Sequence, residues 1–518
     1  MAQRTDPITQ TLGMIAAVLT VAVILIAAIG IGSRVEPGFG FGPGDWAAIR
    51  FTVTQALWSA GLSVLLAIPV ARALARRQFF GRQVLVTLLG APFILPVIVA
   101  VLGLLAIFGR NGWLNLALNA MGLPTVSIYG FHGVVLAHVF FNLPLATRLL
   151  LQGWQTLPAE RFRLAAQLRL TPWAFFRIIE WPLIRQIVPG VAALIFVICL
   201  TSFAVALTLG GGPRATTVEL AIYQAFRFDF DLGRAALLSL IQLVLAGSAA
   251  LIALWVIPSV SLSGGQDRPV LRWDAQSNLH RALDGLVILL AAAFLVLPLF
   301  AVVLRGASGL ALLPSDVWRA AGASFWVACL SVLAMSALAL PMAGWIASRR
   351  SGGIEAIGLL GLSASPLMIG TGWFIVINPV INPADVSLAV TALVNALMSL
   401  PFALRILVPR LRETVQDYDR LRLALNLRGW SLWRWVLLPR LAPQFGFAAG
   451  LTGALSLGDL GVIALFADAD RATLPLQMYR LMGAYQMEAA AGAALLLLAM
   501  ALGVFWGCDA GGRRYAAP

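Results

Sequence analysis

Residues 157–186 read LPAERFRLAAQLRLTPWAFFRIIEWPLIRQ, and residues 412–440 read RETVQDYDRLRLALNLRGWSLWRWVLLPR. Each has a short amphipathic piece, a turn signal (Pro172, Gly429), a Trp one residue later, and a second helical piece ending at Pro. Leu164, Leu168 and Phe175 fall near one helical face, as do Leu421, Leu425 and Leu432. At an offset of 257 residues Arg163 pairs with Arg420, Leu168 with Leu425, Trp173 with Trp430, Arg177 with Arg434 and Pro182 with Pro439. The register extends upstream, where Leu143-Pro144-Leu145-Ala146-Thr147-Arg148 meets Leu400-Pro401-Phe402-Ala403-Leu404-Arg405. Downstream, Arg214-Ala215-Thr216 meets Arg471-Ala472-Thr473, and one residue of slippage then pairs Tyr223 with Tyr479. Chance apolar matching does not hold one register through two polar loops, so the chain is a duplication.

The rest of the chain is mainly apolar. Of 518 residues 60% are hydrophobic and only 11% are charged. A soluble domain carries roughly 25% charged residues. A mean hydropathy of +0.90 makes a bilayer the solvent. A soluble enzyme, a disordered chain and a disulfide-stapled secreted domain are thereby excluded. All 36 basic residues are arginine. Without lysine there is no P-loop and no Schiff base, so any ATP is bound by another subunit. The net charge of +14 is scattered between apolar runs, which argues for topology signals and against nucleic acid. Cys199, Cys329 and Cys508 lie far apart as packing residues, and His132, His138 and His280 form no metal-ligand pattern.

A spanning helix needs about 20 apolar residues. Twelve such stretches are expected, at 12–31, 52–71, 84–108, 131–151, 187–209 and 235–257, then 282–304, 321–347, 354–377, 386–408, 441–466 and 489–508. Pro69, Pro96, Pro144, Pro298, Pro341, Pro366 and Pro401 fall inside them, which helix packing in membranes tolerates. The first stretch exceeds the 7–15 residues typical of a signal core and is expected to stay uncleaved. The expected fold is an all-α polytopic membrane protein: a first six-helix half at 1–262, a cytoplasmic linker at 263–280 and a second six-helix half at 281–518. An even number of spans makes the repeat parallel. The arginine clusters at Arg72, Arg76, Arg77 and Arg82, at 161–185, at Arg349 and Arg350, at 410–440, and at Arg513 and Arg514 then share one side. By the positive-inside rule that side, with both termini, is cytoplasmic.

The two loops lie between the fourth and fifth spans of their halves. An amphipathic loop of this kind also suits an interfacial helix on the lipid surface. Duplication at matched places points instead to two docking points for a two-fold symmetric partner. The loops resemble the EAA loops of binding-protein-dependent ABC importer permeases: EAA, three residues, Gly, nine residues, then I-x-L-P. Counting back from Pro182 puts Arg163-Leu164-Ala165 on EAA, Arg169 on the Gly and Ile179 on the Ile; Ala166 follows the motif. Counting back from Pro439 puts Arg420-Leu421-Arg422 on EAA, Asn426 on the Gly and Val436 on the Ile. Both copies thus replace the Glu and the Gly. Asn adopts a left-handed turn readily and Arg less so, which moves the expected turn to Pro172 and Gly429.

The segments VLAHVFFNLPLATRLLLQ (135–152), LTLGGGPRATTVELAIYQA (207–225) and SLGDLGVIALFADADRATLP (456–475) are similar to thiamine importer permeases. The resemblance implies a type I ABC importer fold, a pair of cytoplasmic ATPase subunits that use ATP and Mg, a periplasmic thiamine-binding protein and a bacterial inner-membrane location. It implies no cofactor on this chain. The same machine for ferric iron or a polyamine is the alternative. A secondary transporter would need an intramembrane acidic coupling site, for which Asp459 is the clear candidate. A membrane enzyme would need a His/Asp/Cys constellation, and the sequence shows none.

Asp459 lies in an otherwise apolar span and is the leading candidate for the pathway. A carboxylate and aromatic faces suit the cationic thiazolium of thiamine. His138, Asn142 and Asn395 are further candidates, with hydrogen bonding between helices the more ordinary role. Arg148 and Arg405 mark span ends where arginine snorkels. Gly210-Gly211-Gly212-Pro213 reads as a turn, an outer gate or a surface for the binding protein.

Overall fold

A computed structural model describes residues 7–35, 40, 42–90, 94–212, 215–256, 277–348, 364–427, 429–466 and 471–516. Among these the chain is helical, because a bilayer leaves backbone amides no partner but each other. The first half contains α1 (Pro7–Gly32), α2 (Pro43–Arg76), α3 (Arg82–Leu88), α4 (Val97–Phe108), α5 (Trp113–Ala120), α6 (Phe131–Gln155), α7 (Ala159–Gln167) and α8 (Pro172–Phe175). It continues with α9 (Trp181–Leu200), α10 (Ala204–Leu209), α11 (Val218–Arg227) and α12 (Leu232–Val256). The second half has α13 (Asn278–Gly309), α14 (Ser315–Ser348), α15 (Pro366–Ile377), α16 (Ser387–Asp417), α17 (Asp419–Ala424) and α18 (Trp430–Leu432). It ends with α19 (Leu438–Gly458), α20 (Gly461–Phe466), α21 (Leu474–Gly483) and α22 (Met487–Ala516).

Eleven helices among the described residues are long and apolar enough to cross a membrane, and α15 is a shorter apolar helix. The protein is an all-α polytopic membrane protein. Most of the expected linker, and the first ten residues of the expected 354–377 span, lie outside the described residues, as do Arg214, Arg349 and Arg350.

Helix pairing is the same in both halves. α2 packs on α6 and α9, and α9 on α12; α14 packs on α16 and α19, and α19 on α22. The first helix of each half crosses to the other: α1 lies on α14 and α15, and α13 on α2 and α4. Side-chain detail repeats too. The Thr52 hydroxyl accepts the Val218 amide at 2.9 Å, and the Ser324 hydroxyl accepts the Leu474 amide at 2.7 Å. Each bond ties a spanning helix to the start of a short helix, α11 or α21, whose first amides lack partners within the helix.

Three expected spans are not continuous helices. The stretch 84–108 is divided between α3 and α4, and Pro96 is the cap of α4. The stretch 187–209 breaks at Thr201–Phe203, between α9 and α10. The stretch 441–466 breaks at Asp459–Leu460, between α19 and α20. The sequence on both sides of each break is apolar, so a hydropathy window runs through all three. Pro366 likewise starts α15, with the Ser365 hydroxyl accepting the Met368 amide. Pro69, Pro144, Pro298, Pro341 and Pro401 do lie inside helices.

Candidate functional site

The two loops share their backbone course and differ in what they bury. In the first, Phe162, Ala165 and Phe175 are buried together, with Leu157, Leu170 and Ile179 against them. The rings of Phe162 and Phe175 are 5.6 Å apart. Burying each ring contributes about 2–3 kcal/mol, enough to fix a short loop. Leu164 and Leu168 point the other way and are more than half exposed. Phe175 therefore does not share their face, as the helical spacing suggested. A reversal at Arg169 carries the second piece back under the first.

That reversal sits where the EAA pattern has Gly. Arg169 has φ 48° and Asn426 φ 50°, both left-handed. The turn therefore has not moved downstream to Pro172. It stays at the motif position, held in the first loop by Leu170 N–H donating to Ala165 O at 3.1 Å. The matching bond in the second loop runs from Leu427 N–H to Arg422 O at 3.0 Å. Gly429 adds a second positive φ of 55°.

Each loop then enters a π-helix, Phe176–Glu180 and Trp433–Leu437, again 257 residues apart. Pro182 and Pro439 have no N–H to continue the ladder, so Trp181 and Leu438 reach five residues back, to Phe176 O and Trp433 O. Arg163, Ala166, Leu168, Arg420, Leu421 and Leu425 are exposed and Ala165 is buried, so each loop presents an apolar and cationic surface. Trp173 and Trp430 are about 70% exposed and belong to that surface.

Inside the membrane region the helix breaks converge. A Cβ on Gly458 would stand 2.9 Å from Pro96 Cα, so the start of α4 abuts the end of α19. A Cβ on Gly461 would meet Leu367 of α15 at 2.9 Å and Phe203, in the other broken span, at 3.9 Å. Non-helical backbone at membrane depth persists only where protein buries it or where it lines a pathway. Asp459 caps α19; its Oδ1 accepts the Gly461 amide at 3.2 Å, and its Oδ2 has no hydrogen-bond partner. The residue 257 positions earlier is Ser202, at the matching break.

The other polar candidates gather at these breaks. His138 Nε2 lies 2.8 Å from the Ser202 hydroxyl, and its Nδ1 3.2 Å from the Ser59 hydroxyl. Asn142 donates to His138 O at 2.8 Å and to Cys199 Sγ at 3.4 Å. At the position matching His138, Asn395 donates to the Ser456 hydroxyl at 3.1 Å, and Ser331 joins Ser456 at 2.8 Å. His138, Asn142 and Asn395 thus bond helix to helix, whereas Asp459 keeps an unsatisfied oxygen.

On the face opposite the loops, Gly211 and Gly212 have φ of 73° and 132° and border a cavity of about 170 Å³. Tyr223, Gln224, Phe228 and Tyr479 are among the other residues that line it. Tyr223 and Tyr479 come from opposite halves, so the cavity lies between them.

No family model matches the chain. Among individual proteins, it is 40% identical over 477 residues to the thiamine transport system permease protein ThiP of Escherichia coli, covering 89% of this chain and 88% of that one. To ThiP of Haemophilus influenzae it is 37% identical over 469 residues, 87% and 86% of the two chains. A sulfate transport system permease protein, CysW of Synechococcus elongatus, is 29% identical over 146 residues, 27% of this chain and half of that one. The chain belongs to the thiamine transport system permease family. It is a multi-pass inner-membrane transport component.

Within this thiamine permease family member, the structure adds residues that spacing did not single out. Ser59, Ser202, Ser331 and Ser456 complete the polar clusters around His138 and Asn395. Serines in apolar runs carry little signal, and only the 257-residue register sets Ser202 opposite Asp459. Glu219, in α11, is fully buried. Burial pushes its carboxyl up to about 8, and neither carboxyl oxygen has a hydrogen-bond partner among the described residues. It lies in the quoted stretch 207–225, where its surroundings read as an outer loop.

Proposed function

We propose that this chain is the membrane channel of an ATP-driven, binding-protein-dependent thiamine importer. The observation that carries the reading is the doubled loop: two copies with one left-handed turn, one π-helix and one exposed Leu/Trp surface, in a chain 40% identical to ThiP. In this reading the loops dock on a pair of cytoplasmic ATPase subunits, which bind ATP and Mg, and the termini lie on that side. The ranges 1–262 and 281–518 act as two parallel halves joined by a cytoplasmic linker. A periplasmic thiamine-binding protein delivers the solute to the opposite face, near the Tyr223–Tyr479 cavity. Closure of the ATPase pair pushes the loops together and opens the interface between the halves outward.

Thiamine then passes the converging helix breaks, where the carboxylate of Asp459 and the ring of Phe203 suit a cationic thiazolium. His138, Asn142 and Asn395 hold the broken helices in place around that route. The reading is tested by ATP hydrolysis in the reconstituted complex. Thiamine-loaded binding protein is expected to raise turnover several-fold. Stimulation by a ferric-iron or polyamine system, and none by thiamine, would transfer the channel to that solute.

A further inference from the structure

We propose that Glu180 is a positioning residue that latches the first coupling loop to the first helix of the second half. The proposal rests on the importer reading above. Glu180 closes the π-helix that follows the first loop, and its side chain is fully buried. Arg72 Nε, near the end of α2, donates to Glu180 Oε2 at 2.7 Å, and Trp154 Nε1 donates to Oε1 at 3.2 Å. Arg76 bridges onward, 3.9 Å from Glu180 Oε2 and 3.9 Å from Asp284 Oδ1. Arg77 Nε donates to Asp284 Oδ2 at 2.8 Å. Asp284 belongs to α13, so one chain of charges runs from the loop through α2 into the other half.

A buried carboxylate is costly unless paired and hydrogen-bonded, and removing one partner strands the other charge. The network therefore resists being pulled apart and carries displacement between the elements it joins. Arg72 also lies over the Phe176 ring at 4.8 Å, gripping the π-helix at a second point.

The second loop has neither the Glu180 carboxylate nor the Arg72 guanidinium at the matching positions. The residues 257 positions after Phe176 and Glu180 are Trp433 and Leu437. The offset of 272 that takes Thr52 to Ser324 takes Arg72 to Gly344. A Cβ on Gly344 would stand 2.8 Å from Trp433 Cζ2, and a Cβ on Gly13 of α1 2.4 Å from Trp345 Cβ. Glycine-on-tryptophan packing thus stands where the first half has Arg72. The one side-chain bond from Trp433 runs from Nε1 to the Thr9 hydroxyl at a long 3.4 Å. Dispersion contacts fall off within an ångström, whereas charges in a low dielectric act over several. At this matched position charge grips the first π-helix, and shape grips the second.

The test measures ATP hydrolysed per thiamine imported in proteoliposomes holding the chain, the ATPase and the binding protein. Glu180→Gln is expected to raise that ratio at least threefold while ATPase co-purification stays normal. Arg77→Asp and Asp284→Arg are each expected to raise it, and the double reversal to return it to within twofold of wild type. That rescue distinguishes a charge link from general loss of packing, and it decides the matter if Glu180→Gln fails to fold. Wild-type ratios in the single variants, or a double reversal no better than the singles, would overturn the latch. A wild-type complex that imports no thiamine would instead overturn the importer reading, and the latch with it.

Discussion

Arg169 and Asn426 stand 257 residues apart and hold the same left-handed backbone, φ 48° and φ 50°. Asn tolerates this region through its short polar side chain, whereas an arginine there is strained. That an arginine holds it shows how firmly the surrounding fold dictates the reversal. Packing of Phe162 on Phe175 and the Leu170-to-Ala165 hydrogen bond leave the chain no other course.

Arg169→Gly is accordingly expected to preserve or tighten the loop. Arg169→Val places a β-branched side chain in the left-handed region, which such residues avoid more strongly than arginine. ATPase captured per mole of purified chain measures the difference. Glycine should match wild type and valine fall several-fold; equal capture by the two would contradict a left-handed requirement.

Leu168 and Leu425 are exposed at matched positions, 63% and 60%. Aspartate at either site should lower ATPase association and uptake while the chain inserts and melts normally, because neither side chain contributes to the core. Normal association in both variants would show that the ATPase docks elsewhere.

Asp459→Asn keeps the shape of the cap and removes the charge. Expression, melting temperature and ATPase binding are expected to hold, with thiamine uptake reduced several-fold. A carboxylate in a spanning segment costs about 2.5–3.5 kcal/mol on insertion scales, so its retention calls for a role. Unchanged uptake in a folded variant would remove Asp459 from the pathway, and loss of folded protein would make it structural.

Much of this is legible in the sequence. The 257-residue register located both loops because their polar and aromatic residues punctuate an apolar background. Trp173, Pro182, Trp430 and Pro439 act as fixed marks there. The break at Asp459–Leu460 had a signal in the glycines on either side, which permit local unwinding, whereas Thr201–Phe203 had none, since one Thr and one Ser in an apolar run do not stop a helix. The face assignment of Phe175 failed for a related reason. Helical spacing assumes one continuous axis, and the reversal at Arg169 supplies two. The ion network of Arg72, Arg76, Arg77, Glu180 and Asp284 spans over 200 residues of sequence, and no local pattern connects its members.

Glu219 makes stability depend on pH. Its α11 lies outside the spanning segments, and its carboxyl is raised to about 8 against an ordinary value of 4.5. Between those values the folded chain binds the extra proton, so stability falls as pH rises through that window. Melting temperature in detergent from pH 6 to 9 should decline more steeply for wild type than for Glu219→Gln. Parallel curves would mean that Glu219 does not titrate in this range.

Thiamine transport by this chain, with its ATPase and binding protein, is read from uptake of radiolabelled thiamine into proteoliposomes holding the complete complex, with ATP enclosed on the side of the loops. ATP-dependent accumulation that unlabelled thiamine competes away, and that ferric iron and polyamines leave unaffected, is the expected result. Accumulation of iron or a polyamine without thiamine, or thiamine movement that continues without ATP, would contradict the account.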